Sequence, residues 1–145
     1  MRKVIAREVD ANTFSAYGTL IDVPSTYGRY DFVAKLNNKR LDAQPNLLLA
    51  HIPVSTMPID VKRMERHVYS SQTFFPLSVS RYLVIVSPSK DDGTPEIEFL
   101  EAFIVLGSQG INYNIGTWHY PLTVLDRDAS FAALVWEDGS DSDTE

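Results

Sequence analysis

Tyr82-Leu83-Val84-Ile85-Val86, then Asp91-Asp92-Gly93-Thr94-Pro95, then the apolar stretch from Ile97 to Leu106: these three successive segments decide how the chain reads. A short, fully apolar run rich in β-branched residues and closed by a turn cluster predicts a buried strand, and the stretch after the turn predicts its neighbour. Working outward, Gln72 to Leu77 is rich in aromatics, Val61 to Val68 alternates, and Leu47 to Ile52 is another apolar run. On the other side follow Ile111 to Asn114, Leu122 to Asp126 and Phe131 to Trp136. Strands recurring about every 8 to 12 residues, with turn residues between them, predict a sandwich or a barrel. The N-terminal part differs. Val4 to Val9 reads as a short strand, and Asp10 as the N-cap of one short helix near residues 11 to 17, closed by Gly18; Leu20 to Val23 is again a strand. Residues 25 to 45 are polar and predict irregular structure or a weak hairpin.

With 145 residues the chain fits one domain, residues 1–145, and 44% hydrophobic residues suffice for a real core. The net charge is −6, and much of the excess lies in Glu137, Asp138, Asp141, Asp143 and Glu145. A charged terminus of this kind predicts a solvated, partly frayed tail. No basic stripe is present, which argues against nucleic acid as a partner. There is no cysteine, so disulfides, thiolate chemistry and cysteine-based zinc sites are excluded. No apolar run is long enough to span a bilayer, and Met1 to Glu8 lacks the apolar core of a signal peptide. A cytoplasmic protein without membrane contact is the expectation.

Chemistry has few places to reside. The histidines are His51, His67 and His119. Period-2 geometry on Val61 to Val68 puts Glu65 and His67 on one face, expected to be the inward one, with Met64 and Arg66 on the other. A return after Tyr69-Ser70-Ser71 would bring Gln72 opposite His67. The competing reading is a surface ion pair of Glu65 with Arg63 or Arg66. The second candidate segment runs from Gly107 to Pro121. Its glycines and amides sit between strands, Gly116 suits a positive φ, and His119 is held between Trp118 and Tyr120. A plain turn with an aromatic plug would explain that segment equally well. Together the two segments occupy the metal-ligand slots of a cupin, with Glu65, His67, Gln72 and His119 in the four positions. His51 belongs to neither segment and reads as a structural strand residue.

Glu65-Arg66-His67-x4-Gln72-x-Phe74-x-Pro76 and Gln109-Gly110-x-Asn112-Tyr113-x2-Gly116-x-Trp118-His119-x-Pro121 resemble the signature regions of the ureidoglycolate lyases, and Phe14 to Gly18 resembles their N-terminal helix and turn. The resemblance implies a mainly β, cupin-like antiparallel β-barrel (a double-stranded β-helix) with a short N-terminal helix, usually a homodimer. It implies cleavage of ureidoglycolate to glyoxylate and urea, the last step of allantoin breakdown in purine catabolism. It also implies a divalent metal, nickel, held by Glu65, His67, Gln72 and His119, and no organic cofactor. On this reading His67 or His119 is the base, and Glu65 orients an imidazole or ligates the metal. Gln72, Gln109 and Asn112 bond the ureido group, and Tyr113 and Trp118 wall the pocket. The chain departs from the family pattern at Asn114, where a histidine is common, at Ile115, where a basic or polar residue is common, and in Ser142 to Glu145, where many members carry a cysteine. Those departures keep two other readings open: a cupin-like enzyme for another small hydroxy or keto acid, and a non-catalytic small-molecule binder.

Overall fold

A computed structural model describes residues 2–32 and 35–145. Among the described residues the chain is mainly β, with one four-residue α-helix. One sheet has the order β1 (Arg7–Glu8), β6 (Glu101–Leu106), β5 (Arg81–Ser87) and β8 (Trp118–His119), with β9 (Thr123–Leu125) pairing beside β8 on the same edge of β5. The other has the order β2 (Gly18–Asp22), β7 (Gln109–Tyr113), β4 (Gln72–Ser78), β10 (Ala129–Glu137) and β3 (Gln44–Ile52). All strand pairings are antiparallel except β1 with β6. The helix α1 (Ala11–Phe14) starts where expected: the Asp10 side chain accepts from the Asn12 and Thr13 amides, the bonds an N-cap supplies.

The inner faces of the two sheets meet in one core. Tyr82, Val84 and Val86 of β5 join Phe103, Val105 and Val124 from their own sheet and Ile111, Tyr113 and Phe131 from the other. Tyr82 and Phe131 cross the gap edge to face, with ring centroids 5.1 Å apart. The whole run Tyr82 to Val86 is apolar because β5 is covered on both sides. Leu83 and Ile85 face outward into a second cluster made by Leu100, Ala102, Ile59, Val61, Met64 and Tyr120. This corrects two expectations. Val61 to Val68 is not a strand: its apolar residues Val61 and Met64 pack on the outer face of β5, and only Glu65 and His67 form isolated bridges. Ile97 to Phe99 is a 3-10 turn, and pairing begins at Glu101.

Gly18 does not close the helix. It opens β2, where a Cβ would lie 2.0 Å from the Asn112 carbonyl oxygen, so the close approach of β2 to β7 demands glycine. Gly116 does take a positive φ, of 79°. The region 25–45 is irregular where described, with one bridge from Asn38 to Ser70; Val33 and Ala34 lie outside the described residues. The acidic end is not frayed: Arg66 and Glu145 exchange both backbone hydrogen bonds, and the Val68 amide donates to the Asp143 carbonyl. Among the described residues no helix is long and apolar enough to cross a membrane.

Candidate active site

The extended segment Glu65 to Val68 runs between two partners. Glu65 and His119 exchange backbone hydrogen bonds of 2.9 and 2.8 Å, and the Gly116 amide donates to the His67 carbonyl at 2.7 Å. Arg66 and Val68 bond in the opposite direction, to Glu145 and Asp143. Backbone direction therefore alternates as in a ladder, and the side chains of Glu65 and His67 share a face as expected. Gly116 turns the chain so that β8 presents His119 to that same face. Thr117 anchors the turn by donating its hydroxyl to the Tyr17 carbonyl. On the far side Arg66 lies over the Trp118 ring at 4.7 Å and pairs with Glu145.

Glu65, His67 and His119 each offer one ligand atom, and these atoms lie within 4.8 Å of one another. His119 is 3% exposed and stacks on Tyr113, with centroids 4.3 Å apart and an interplanar angle of 13°. Its Nδ1 lies 2.9 Å from the Thr117 carbonyl, an acceptor only, so Nδ1 carries the proton and Nε2 presents a lone pair. That Nε2 faces Glu65 Oε1 at 3.5 Å without closing a hydrogen bond. His67 Nε2 is also buried and unpartnered, as are Gln72 Oε1 and the Tyr113 hydroxyl. Gln72 and Tyr113 are direct cross-strand neighbours on β4 and β7, which places these atoms at one end of the inter-sheet core. Four buried polar atoms without partners in one place are costly unless something binds there.

The electrostatics are consistent. Contact with the His119 ring, seconded by the charges that His119, His67 and Arg63 can carry, holds the Glu65 carboxyl below the usual carboxylate range despite burial. Burial holds the His67 imidazole below its ordinary value and His119 pushes the same way; Asp143, Glu65 and Gln72 oppose them. Burial raises the Tyr113 phenol far above its ordinary range, so it remains a donor. A cavity of about 400 Å³ opens beside His67 and Gln72, walled by Leu48, Val135, Arg40 and Asp143. A larger hollow of about 710 Å³, between the N-terminal arm and Phe99 to Ala102, shares none of these residues.

Not every expected site residue joins this cluster. Gln109 sits at the other end of β7, bonded to Asp22 at 2.9 Å and accepting from the Leu106 amide. It lies four positions before Tyr113, about 13 Å along a strand. Asn112 lies on the face of β7 opposite Tyr113, where it accepts from the Thr73 hydroxyl and donates to the Lys35 carbonyl. Trp118 donates its indole N–H to the Gly93 carbonyl and supports the turn from behind. His51 is exposed and bonded to Ser130 on the far strands, away from the site. Asp143 and Thr144, which no sequence pattern singled out, stand beside His67: its Nδ1 lies 3.6 Å from Asp143 Oδ2 and 3.4 Å from Thr144 Oγ1. The Asp143 carboxylate, 7% exposed, also accepts from the Tyr69 amide and the Ser70 hydroxyl and lies 3.5 Å from Arg40.

Two imidazoles and a carboxylate gathered between two β-sheets, with His67 lining a small cavity, are groups able to transfer a proton or hold a cation, as in small-molecule enzymes. The family comparison agrees. A sequence model of the family described as ureidoglycolate lyase matches residues 1–145, and the chain belongs to that family. A ureidoglycolate lyase of Pseudomonas savastanoi pv. phaseolicola is 28% identical over 143 residues, covering 92% of this chain and 83% of its own. One from Burkholderia mallei is 32% identical over 130 residues, covering 83% and 75%. A protein of Agrobacterium fabrum that carries the family name provisionally is 31% identical over 144 residues, covering 99% and 89%.

Proposed function

We propose that this protein cleaves ureidoglycolate to glyoxylate and urea, as the last step of allantoin breakdown, in the cytoplasm. The observation that carries the reading is the pair of buried, unpartnered imidazole Nε2 atoms beside Glu65, with His67 lining a cavity of about 400 Å³, in a chain whose residues 1–145 match the lyase family.

Ureidoglycolate carries a hydroxyl, a carboxylate and a ureido nitrogen on one carbon. Cleavage removes the hydroxyl proton, the O–H electron pair becomes the carbonyl of glyoxylate, and the C–N pair leaves with urea, whose nitrogen takes a proton. His67 lines the cavity, and its Nε2 is the base we assign to the hydroxyl. The imidazolium formed then returns the proton to the departing nitrogen. Gln72 Oε1 is an acceptor for a ureido N–H, and the Tyr113 hydroxyl is a donor for the developing carbonyl oxygen.

The donor set fits a divalent cation, since nitrogen and carboxylate ligand atoms lie within 4.8 Å of one another and both Nε2 atoms are bare. Glu65 and His119, with Gln72 beside them, would hold it, nickel by resemblance to the family, leaving His67 as the base, and it would supply Lewis-acid polarisation of the substrate hydroxyl. The surroundings call for positive charge, because Asp138 and Asp143 already flank Arg40, at 3.0 and 3.5 Å, and the substrate is an anion.

The facing sheets are compatible with a cupin-like barrel, which we take as the architecture. A homodimer is supported by β3, an edge strand of nine residues whose Leu47 and Leu49 are 71% and 76% exposed. Long apolar edges of that kind are covered in stable proteins.

The test is direct. Purified protein incubated with ureidoglycolate should release glyoxylate and urea in equal amounts, faster than the spontaneous rate and without ammonia. Release at the spontaneous rate, or ammonia in place of urea, refutes the reading.

A further inference from the structure

We infer that Asp143 is a positioning residue for His67: the segment Asp143–Glu145, bonded along Arg66 to Val68, holds a carboxylate against Nδ1 so that Nε2 stays a bare proton acceptor. The inference rests on the assignment of His67 as the base.

Several observations meet on this point. The segment is held by three backbone hydrogen bonds, Arg66 to Glu145 in both directions at 3.1 and 3.0 Å and Val68 to Asp143 at 2.9 Å, which fixes where the Asp143 side chain emerges. The carboxylate itself is tethered. Oδ1 accepts from the Tyr69 amide at 2.7 Å, and Oδ2 accepts from the Ser70 hydroxyl while facing His67 Nδ1 at 3.6 Å. Arg40 completes the tether: it is almost fully buried, donates to the Trp136 carbonyl at 2.9 Å and lies over the Tyr69 ring.

The tautomer follows from which group meets Nδ1. Thr144 Oγ1, at 3.4 Å, can donate or accept, so it favours neither form. An ionised carboxylate only accepts, and therefore favours the proton on Nδ1. Nε2 itself closes no hydrogen bond, so the charged partner on Nδ1 decides where the proton sits. Nε2 is left as a lone pair on a residue that lines the cavity, and the imidazolium formed after proton transfer is stabilised by the same carboxylate. His119 reaches the same tautomer through the Thr117 carbonyl. The two rings, with centroids 5.5 Å apart, thus have their Nδ1 atoms held from outside and their Nε2 atoms left free. For metal-ligating histidines, outer partners that fix the tautomer in this way change metal affinity or activity about 10- to 100-fold when removed, and the same scale is expected for His67.

Asp143 also caps the Tyr69–Ser70 turn, so a loss of stability alone would not separate the two roles. Asp143→Asn keeps the volume and the Oδ1 acceptor while removing the charge, and Asp143→Ala removes both. The deciding measurement is long-range ¹H–¹⁵N NMR of the histidine rings in the full protein without added metal, with the His67 signals assigned through His67→Gln. The expected result is His67 predominantly protonated on Nδ1 in the wild type and shifted toward Nε2 in Asp143→Asn, with the His119 tautomer unchanged. Turnover of the folded Asp143→Asn protein should fall about 10- to 100-fold in kcat with KM little altered. Identical His67 ring signals in wild type and both variants, or a variant that melts earlier while keeping full kcat, would overturn the inference. A wild-type protein that leaves ureidoglycolate intact would refute the functional reading alone, because the tautomer comparison needs no substrate.

Discussion

His119→Ala tests the site most sharply, because structure and chemistry predict separable losses. The ring stacks on Tyr113 and is bonded through Nδ1 to the Thr117 carbonyl. Loss of the aromatic contact costs about 0.5–1.5 kcal/mol. The Thr117 carbonyl left without its donor adds about 1–3 kcal/mol. The sum is about 1.5–4.5 kcal/mol, which lowers the melting temperature by roughly 5–15 °C in a domain of this size. The protein should still fold at 25 °C, because stabilities of domains this large commonly exceed that loss. Activity should fall further than stability: with Glu65 facing an empty space in place of Nε2, kcat/KM for glyoxylate release should drop by about 10²-fold or more. A thermal melt and steady-state kinetics on one preparation read both quantities. His51→Ala is the control; its exposed ring bonds only Ser130, and both readouts should stay close to wild type. A His119→Ala protein that keeps near-wild-type kcat/KM, particularly beside a His51→Ala protein that loses it, refutes the assignment of the site.

His67→Ala should cost a similar factor in kcat/KM with a smaller shift in melting temperature, since that ring is less completely buried and stacks on no tyrosine; an active variant would remove His67 from the base role. The folded-state pKa of His67 lies below its ordinary 6.5, and that of Glu65 below 4.5, so the unfolded chain binds more protons in both windows. Stability should therefore fall as pH drops below about 6.5 and again below about 4.5 in chelator-treated protein, and a melting temperature flat from pH 7 to 5 would contradict this. Gly18→Ala forces a Cβ against the Asn112 carbonyl and should destabilise by about 1–3 kcal/mol, read from chemical denaturation; an unchanged midpoint would show that β2 can move away. Leu47→Lys combined with Leu49→Lys should turn a dimer of about twice 16.3 kDa into a monomer by light scattering, and a monomeric wild type would refute the dimer.

Most of the strands were legible because their apolar runs are long enough to bury a face, and β5 most of all, since both of its faces are covered. The Val61 to Val68 alternation misled because Val61 and Met64 serve as a cover for the outer face of β5, and a cover needs the same apolar residues as a strand. Glu65, His67, Gln72, Tyr113 and His119 were legible as a group from two local segments. Asp143 was not, because its burial depends on Arg40, Tyr69 and Ser70, which lie far from it in sequence and leave no periodic trace among the charges of the tail. Asn112 was misplaced for an avoidable reason: strand alternation alone puts it on the face opposite Tyr113.

The position of β10 has a consequence for how the chain folds. It inserts between β3 and β4, pairing Ala129 with Ile52 on one side and Leu134 with Thr73 on the other. Among the described residues β3 has no other partner in its sheet. Until residues 129–137 have been synthesised, β3 has both edges open. No local hairpin can bring it into the structure early, so folding must wait for contacts between segments remote in sequence, which is slow. During that wait the nascent or refolding chain presents a long apolar strand to its neighbours. Recovery of native protein from denaturant should therefore decline with chain concentration, and the stretch around Leu47 to Ile52 is where holding chaperones would be expected to bind.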